Sequence, residues 1–165
     1  RGFDSRHVLL SQISFMQLPI LTQKRECGEC DICCDGWLVT NVLGQDLWPG
    51  RPCHFKRNGC TIHEQRPHDP CRKFECAWLA DNNIPEWMQP NKIKAIFIVR
   101  EFNGQKYLNV MECGQQLDSR VLSWLFMQHI NKRLINFRYQ VAGGWNYVGT
   151  PEFVAEMEKY NTVIP

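Results

Sequence analysis

Eight cysteines, Cys27, Cys30, Cys33, Cys34, Cys53, Cys60, Cys71 and Cys76, fall in the order C-x2-C-x2-C-C-x18-C-x6-C-x10-C-x4-C. That pattern is far too dense and regular for ordinary core packing, and it points to metal–thiolate chemistry. Thiolates are the soft ligands that zinc, copper(I) and iron–sulfur clusters select. A two-residue gap lets one tight turn aim two sulfurs at the same centre. Cys33 and Cys34 are adjacent, and neighbouring residues project their side chains in different directions, so they do not easily serve one small tetrahedral ion together. Two sites, or one large polynuclear centre, are therefore expected. Eight thiolates divide into two sets of four, the number that tetrahedral zinc and a cubane iron–sulfur cluster each require. The spacing does not say which sulfur joins which set.

A four-thiolate zinc site carries a charge of about −2, from four sulfurs and one divalent ion. Backbone amides and cations should offset it. Arg51, Lys56, Arg57, Arg66, Arg72 and Lys73 lie in the same segment. His54, His63 and His68 are also there and are candidate ligands, although eight sulfurs already satisfy two sites. Cys113 stands apart, 37 positions beyond Cys76, and is expected to be a buried free thiol outside the metal centre. A framework of four disulfides is the competing reading. An odd cysteine total, a chain larger than small disulfide scaffolds and the awkward Cys33-Cys34 pair argue against it.

The segment resembles the bacterial YkgJ-type proteins, described as zinc- or iron-chelating CxxCxxCC cysteine-cluster domains. The stretches that carry the resemblance are CGECDICC at Cys27 to Cys34, PCHF at Pro52 to Phe55, CTIHEQRP at Cys60 to Pro67 and CRKFECAWL at Cys71 to Leu79. All eight family cysteines have counterparts here. Members often carry Tyr at the position of His63, and the gap from Pro67 to Cys71 is slightly long. The close likeness covers about a third of the chain. It implies metal binding more firmly than any reaction, although a related cluster occurs in flagellin lysine methylases.

The elements that must position these sulfurs divide the chain into three parts of one domain over residues 1–165. Residues 1–26 hold an amphipathic stretch, with Val8, Leu9, Ile13 and Met16 at helical spacing, expected as a leading helix. Residues 27–90 form a loop-rich cysteine lobe, punctuated by prolines and glycines. Within it a short strand is expected over Trp37 to Leu43, and a helix carrying Cys76 is expected to begin within Arg72 to Ala80. Residues 91–165 form an α+β portion. Lys92 to Phe102 and Gln105 to Glu112 flank Asn103-Gly104, which predicts a hairpin with a type I′ turn. Asp118 or Ser119 caps a predicted helix through Val121 and Leu125. Phe137, Tyr139 and Val141 alternate as a strand, and Thr150-Pro151 opens a last helix. The fold class is α+β, a metal lobe packed with a small antiparallel sheet and covering helices.

With 19 basic and 17 acidic residues the net charge is +2, so charge alone indicates neither a nucleic-acid nor a membrane-surface binder. The longest apolar run, Ala95 to Val99, is far below the about 20 residues of a membrane span. A soluble protein of the reducing cytoplasm is the expectation. The cofactor expected is zinc, with iron or an iron–sulfur cluster as the alternative. An iron–sulfur redox or sensing protein, a metal-dependent enzyme accessory and a zinc-stabilised module docking on a protein or nucleoprotein partner are the competing roles. Trp37, Trp48, Trp78 and Trp87 are expected to roof the metal lobe. No nucleotide, methyl-donor or Ser-His-Asp pattern is evident, and enzyme activity is left open.

Overall fold

The computed structural model describes residues 24–163. The leading helix expected over residues 1–26 therefore lies almost wholly outside the described residues, and 24–26 are irregular. The architecture is α+β, as expected, with a cysteine lobe seated against a four-stranded sheet.

The sheet begins with a hairpin of β5 (Ala95–Phe102) and β6 (Gln105–Glu112), paired from Ala95 with Glu112 to Phe102 with Gln105. Asn103 at φ 48° and Gly104 at φ 75° both take the left-handed conformation of a type I′ turn. The first strand starts at Ala95 and not near Lys92, because Pro90–Ile93 forms a short helix, α2, and Lys94 at φ 50° ends it. Four earlier strands and one earlier helix belong to the lobe: β1 (Thr40–Val42), β2 (Gln45–Leu47), β3 (Lys56–Arg57), β4 (Gly59–Cys60) and α1 (Ala77–Ala80).

After the hairpin, α3 (Ser119–Ile130) carries the chain across to β7 (Phe137–Val141), which pairs parallel to β6. A second hairpin through Ala142 and Gly143 returns as β8 (Gly144–Val148). The hairpin pairings are antiparallel, as expected, and the β6–β7 pairing makes the four-stranded sheet mixed. A helix inserted between two strands supplies the long connection that a parallel pairing needs.

The helix starts follow their capping residues. The Asp118 carboxylate accepts the Arg120 backbone N–H at 2.8 Å, and the Thr150 hydroxyl accepts that of Phe153 at 3.3 Å to open α4 (Pro151–Val163). Both caps match the sequence expectation. Side chains alternate across a strand, so Leu108, Phe137 and Tyr139 share one face, and Tyr107 and Tyr147 share the other. The Phe126 ring of α3 meets Phe137 and Tyr139 edge-on, whereas Phe153 and Met157 of α4 bury against Tyr107. The two long helices therefore cover opposite faces.

The lobe has little regular structure. Its strands are two or three residues long, and the Trp37-to-Leu43 strand shrinks to β1. Cys33–Trp37 is instead a wide helical turn that closes at Gly36, φ 94°. A Cβ on Gly36 would stand 2.1 Å from the Trp48 carbonyl oxygen, so only glycine admits this close approach of two backbones. The helix expected to carry Cys76 starts one residue later, at Ala77, and leaves Cys76 at its N-cap. Ile32, Trp78, Ile84 and Met88 from the lobe join Ile96, Phe97, Val110 and Phe137 of the sheet in one continuous core. Each buried Ile or Met of the lobe contributes about 1.5–3 kcal/mol to that junction.

Glu112 fastens the far end of the sheet. Its carboxylate accepts backbone N–H groups from Leu117 at 2.9 Å, Ala142 at 3.1 Å and Gly143 at 3.0 Å, tying the approach to α3 to the β7–β8 turn. Charged acceptors make the stronger class of hydrogen bond. Glu112→Ala removes the acceptor for all three and is expected to lower stability by about 2 kcal/mol. Urea unfolding followed by circular dichroism checks this, and a midpoint equal to wild type would show that solvent replaces the carboxylate without cost.

Candidate metal centre

All eight clustered cysteines line one cavity of about 460 Å³. Local turns and short pairings bring them there. Cys30 N–H donates to the Cys27 carbonyl at 2.9 Å, closing the C-x2-C turn through Gly28 at φ 55°. One helical turn later Cys34 N–H donates to the Asp31 carbonyl at 2.8 Å. Cys53 N–H then donates to the Cys34 carbonyl at 2.8 Å, which draws the second half of the lobe against the first. The β3–β4 pair, Lys56 opposite Cys60, folds Cys60 back beside Cys53.

Electrostatics sorts the thiols into two quartets, the partition that spacing alone left open. Burial first, then Cys76, Cys30, Cys34 and Cys27, holds the Cys33 thiol far above its ordinary range. Cys76 is raised by burial and then by Cys27 and Cys30, and the exposed Cys27 by partial desolvation and then by Cys30. Cys27, Cys30 and Cys76 thus all act on Cys33 and make the first quartet with it. The Cys34 thiol is pushed up to about 11 by burial, then by Cys53, Cys60 and Cys71. Cys71 is raised by burial, then by Cys53 and Cys60. Cys34, Cys53, Cys60 and Cys71 make the second quartet. The adjacent pair Cys33-Cys34 faces both ways, one thiol in each set.

The cavity fits a soft cation by the chemistry of its donors, since eight thiols line it and a positive centre would favour their thiolate forms. As the side chains stand, no three His, Cys, Asp or Glu among the described residues converge tightly enough to hold a single ion. The sulfurs are gathered in quartets that are more open than a closed tetrahedral site.

The histidines divide. His63 reaches the cavity, but its Nε2 faces Arg66 Nη1 and its Nδ1 faces Glu64 Oε1 at 3.0 Å. Arginine only donates, so Nε2 accepts and the Nδ1 proton goes to Glu64. That bond holds the Glu64 carboxyl below the usual carboxylate range. With its free lone pair on Arg66, His63 is not placed as a ligand. His54 is exposed and stacks edge-on with Phe55, and His68 is exposed on a helical turn; neither lines the cavity.

Of the four tryptophans expected as a roof, only Trp78 lines the cavity. Trp37 lines a separate hollow beside Glu112, and Trp48 and Trp87 are partly exposed. Their rings find cations instead, Arg51 lying over Trp48 and Arg120 over Trp87. Phe74 lines the cavity and packs on the core.

Arg25 is the positioning residue that sequence reasoning missed. Its guanidinium donates to the carbonyls of Trp78 at 2.7 Å, Asp81 at 3.0 Å, Asn82 at 3.3 Å and Ile84 at 2.6 Å, and lies over the Trp78 ring at 4.8 Å. It thereby clamps the end of α1, just beyond Cys76. No local pattern announces it, since the carbonyls it clamps are more than fifty positions away.

Cys113 is buried, its thiol donating weakly to the Met111 carbonyl at 3.6 Å. Burial, with Cys30 as a lesser cause, pushes it up to about 12. It backs the first quartet through the core and does not line the cavity. Cys113→Ala should cost about 1 kcal/mol through lost packing and leave metal content unchanged; loss of a metal equivalent in elemental analysis would place it among the ligands.

The raised thiols also set a pH dependence. A thiol whose folded pKa lies above the unfolded value of 9.0 stabilises the fold below pH 9 and loses that contribution as pH rises towards the folded value. With the thiols unliganded, stability should therefore fall as pH rises from about 9 towards 11 and 12. Melting curves in chelator across that window check the sign, and a flat profile would show that the thiols remain as solvated as in the unfolded chain.

Among the described residues no helix is long and apolar enough to cross a membrane. Comparison with protein-family models, with curated proteins and with solved structures finds no match for the chain.

Proposed function

We propose that this protein is a metal–thiolate protein with two four-cysteine centres, one on Cys27, Cys30, Cys33 and Cys76 and one on Cys34, Cys53, Cys60 and Cys71, with zinc as the ion. The observation that carries the reading is the gathering of all eight thiols around one cavity, with Cys27, Cys30 and Cys76 acting on Cys33 and Cys53, Cys60 and Cys71 acting on Cys34. Four thiolates complete a zinc shell and leave no open position, which makes such centres structural. The reading agrees with what the resemblance to the YkgJ-type domains implies.

One observation favours a second reading, in which each quartet holds an iron–sulfur cluster. The thiols of a quartet act on one another without three of them converging on a single point. Four thiolates are equally the donor set of a cubane cluster, in which each sulfur binds a different iron. The centre would then transfer electrons or sense oxidants, and not merely staple the lobe.

Anaerobic purification followed by metal and sulfide analysis, with a visible spectrum, separates the readings. Two zinc ions per chain and a colourless protein are expected. Stoichiometric iron and inorganic sulfide in a brown protein would establish the second reading, and a folded chain with neither metal would overturn both. The partition has its own test: Cys76→Ser and Cys60→Ser should each lose one centre and keep the other. Loss of both centres from either single variant would replace two sites by one polynuclear centre.

A further inference from the structure

The lobe's cations are not equally available to the sulfurs. Lys56 reaches the cavity, but its ammonium is held by Asp31 at 2.8 Å and by Asp35. Lys73 pairs with Asp69 at 3.1 Å on the surface. Arg57 donates to the carbonyls of His54 and Lys56, Arg72 to that of Glu64, and Arg51 lies over Trp48. Arg66 differs from all of these. It lines the thiol cavity, and its Nε is buried without a hydrogen-bond partner among the described residues.

An unpartnered, buried guanidinium N–H carries a desolvation cost that a native site ordinarily recovers by bonding to something. The cavity that Arg66 lines is also lined by the eight thiols. Cys27 of the first quartet and Cys71 of the second line the same cavity as Arg66. The side chain is also held in place. Nη1 sits on His63, which Glu64 orients, and Pro67 restricts Arg66 to an extended backbone at φ −56° and ψ 140°. Arg72 braces the same turn through the Glu64 carbonyl at 2.7 Å.

We propose that Arg66 is a positioning residue shared by the two metal centres, its buried Nε–H donating to a metal-bound thiolate where the quartets meet and its charge offsetting both. The proposal rests on the metal reading above. It gives the Glu64–His63–Arg66 chain a purpose that a ligand role for His63 would not: the imidazole holds the guanidinium, and the guanidinium holds the sulfur. Outer-shell donors of this kind are typically worth about 10–100-fold in metal affinity.

Cobalt(II), a coloured substitute for zinc, is the probe. Wild type, Arg66→Gln, Arg66→Lys and a surface control, Lys73→Gln, are loaded with it, and far-UV circular dichroism reports their fold. Transfer of cobalt to excess chelator should be about tenfold faster in Arg66→Gln and unchanged in Lys73→Gln. Arg66→Lys, which keeps the charge and loses the Nε–H, should fall between. The sulfur-to-cobalt charge-transfer absorption should move to lower energy in both Arg66 variants, because a thiolate that loses its N–H donor is easier to oxidise. A folded Arg66→Gln with wild-type release and absorption overturns the proposal. Should Arg66→Gln fail to fold, Arg66→Lys decides alone, and wild-type behaviour there overturns the donor role. A wild-type chain that takes up no metal would instead bring down the reading on which the proposal stands.

Discussion

Eight thiols drawn into one cavity repel one another whenever they ionise, and the rest of the lobe is built to hold them there against that repulsion. Burial and mutual charge both favour the neutral thiol, most strongly at Cys33, the thiol that faces three others of its own quartet and Cys34 besides. Hydrogen-bonded ladders do little of the holding, since the lobe's strands are two or three residues long. The work falls to single interactions that cross long stretches of chain. Arg25 gathers four carbonyls, Gly36 lets the Trp48 backbone approach, and the Cys34 carbonyl receives the Cys53 N–H. Each replaces a stretch of regular structure with one specific contact, which is how a chain fixes loops whose side chains face a common centre.

The sheet supplies the rigidity that the lobe lacks. Ile96, Phe97 and Val110 are wholly buried and continuous with Trp78, Met88 and Ile32, so the quartets rest on a packed wall and not on solvent. Cys113 belongs to that wall. Its backbone N–H donates to the Lys94 carbonyl at 2.7 Å, which locks the strand end behind Cys30. The two long helices cover the sheet's opposite faces and leave the lobe to the edge where the chain enters β5.

Local chemistry explains which parts of this were legible in the sequence. Asn103-Gly104, Asp118 and Thr150-Pro151 each fix their own neighbourhood through backbone geometry or a cap, and all three appear as expected. The parallel pairing of β6 with β7 depends on residues 29 positions apart and leaves no mark in either strand's pattern. The same holds for Arg25, whose partners are carbonyls and therefore carry no side-chain signature. Trp37 to Leu43 reads as a strand because its apolar residues are β-formers. The turn at Gly36, forced by a backbone more than ten positions away, overrides that preference. The eight cavity cysteines were visible at once, yet their division into quartets was not, because it depends on which way each turn faces.

The pair Cys33-Cys34 joins these two levels. Adjacent Cα atoms are about 3.8 Å apart, so one thiol in each quartet fixes the two sets as near neighbours whatever else the lobe does. Thiolates in such proximity raise each other's cost, as Cys34 does to Cys33. A cation confined to one quartet would relieve only half of that. Lys56 is confined by two aspartates, whereas Arg66 lines the cavity that both sets share. The adjacency of Cys33 and Cys34 therefore favours a counter-charge near both groups, the role proposed for Arg66, whose backbone the proline after it holds extended.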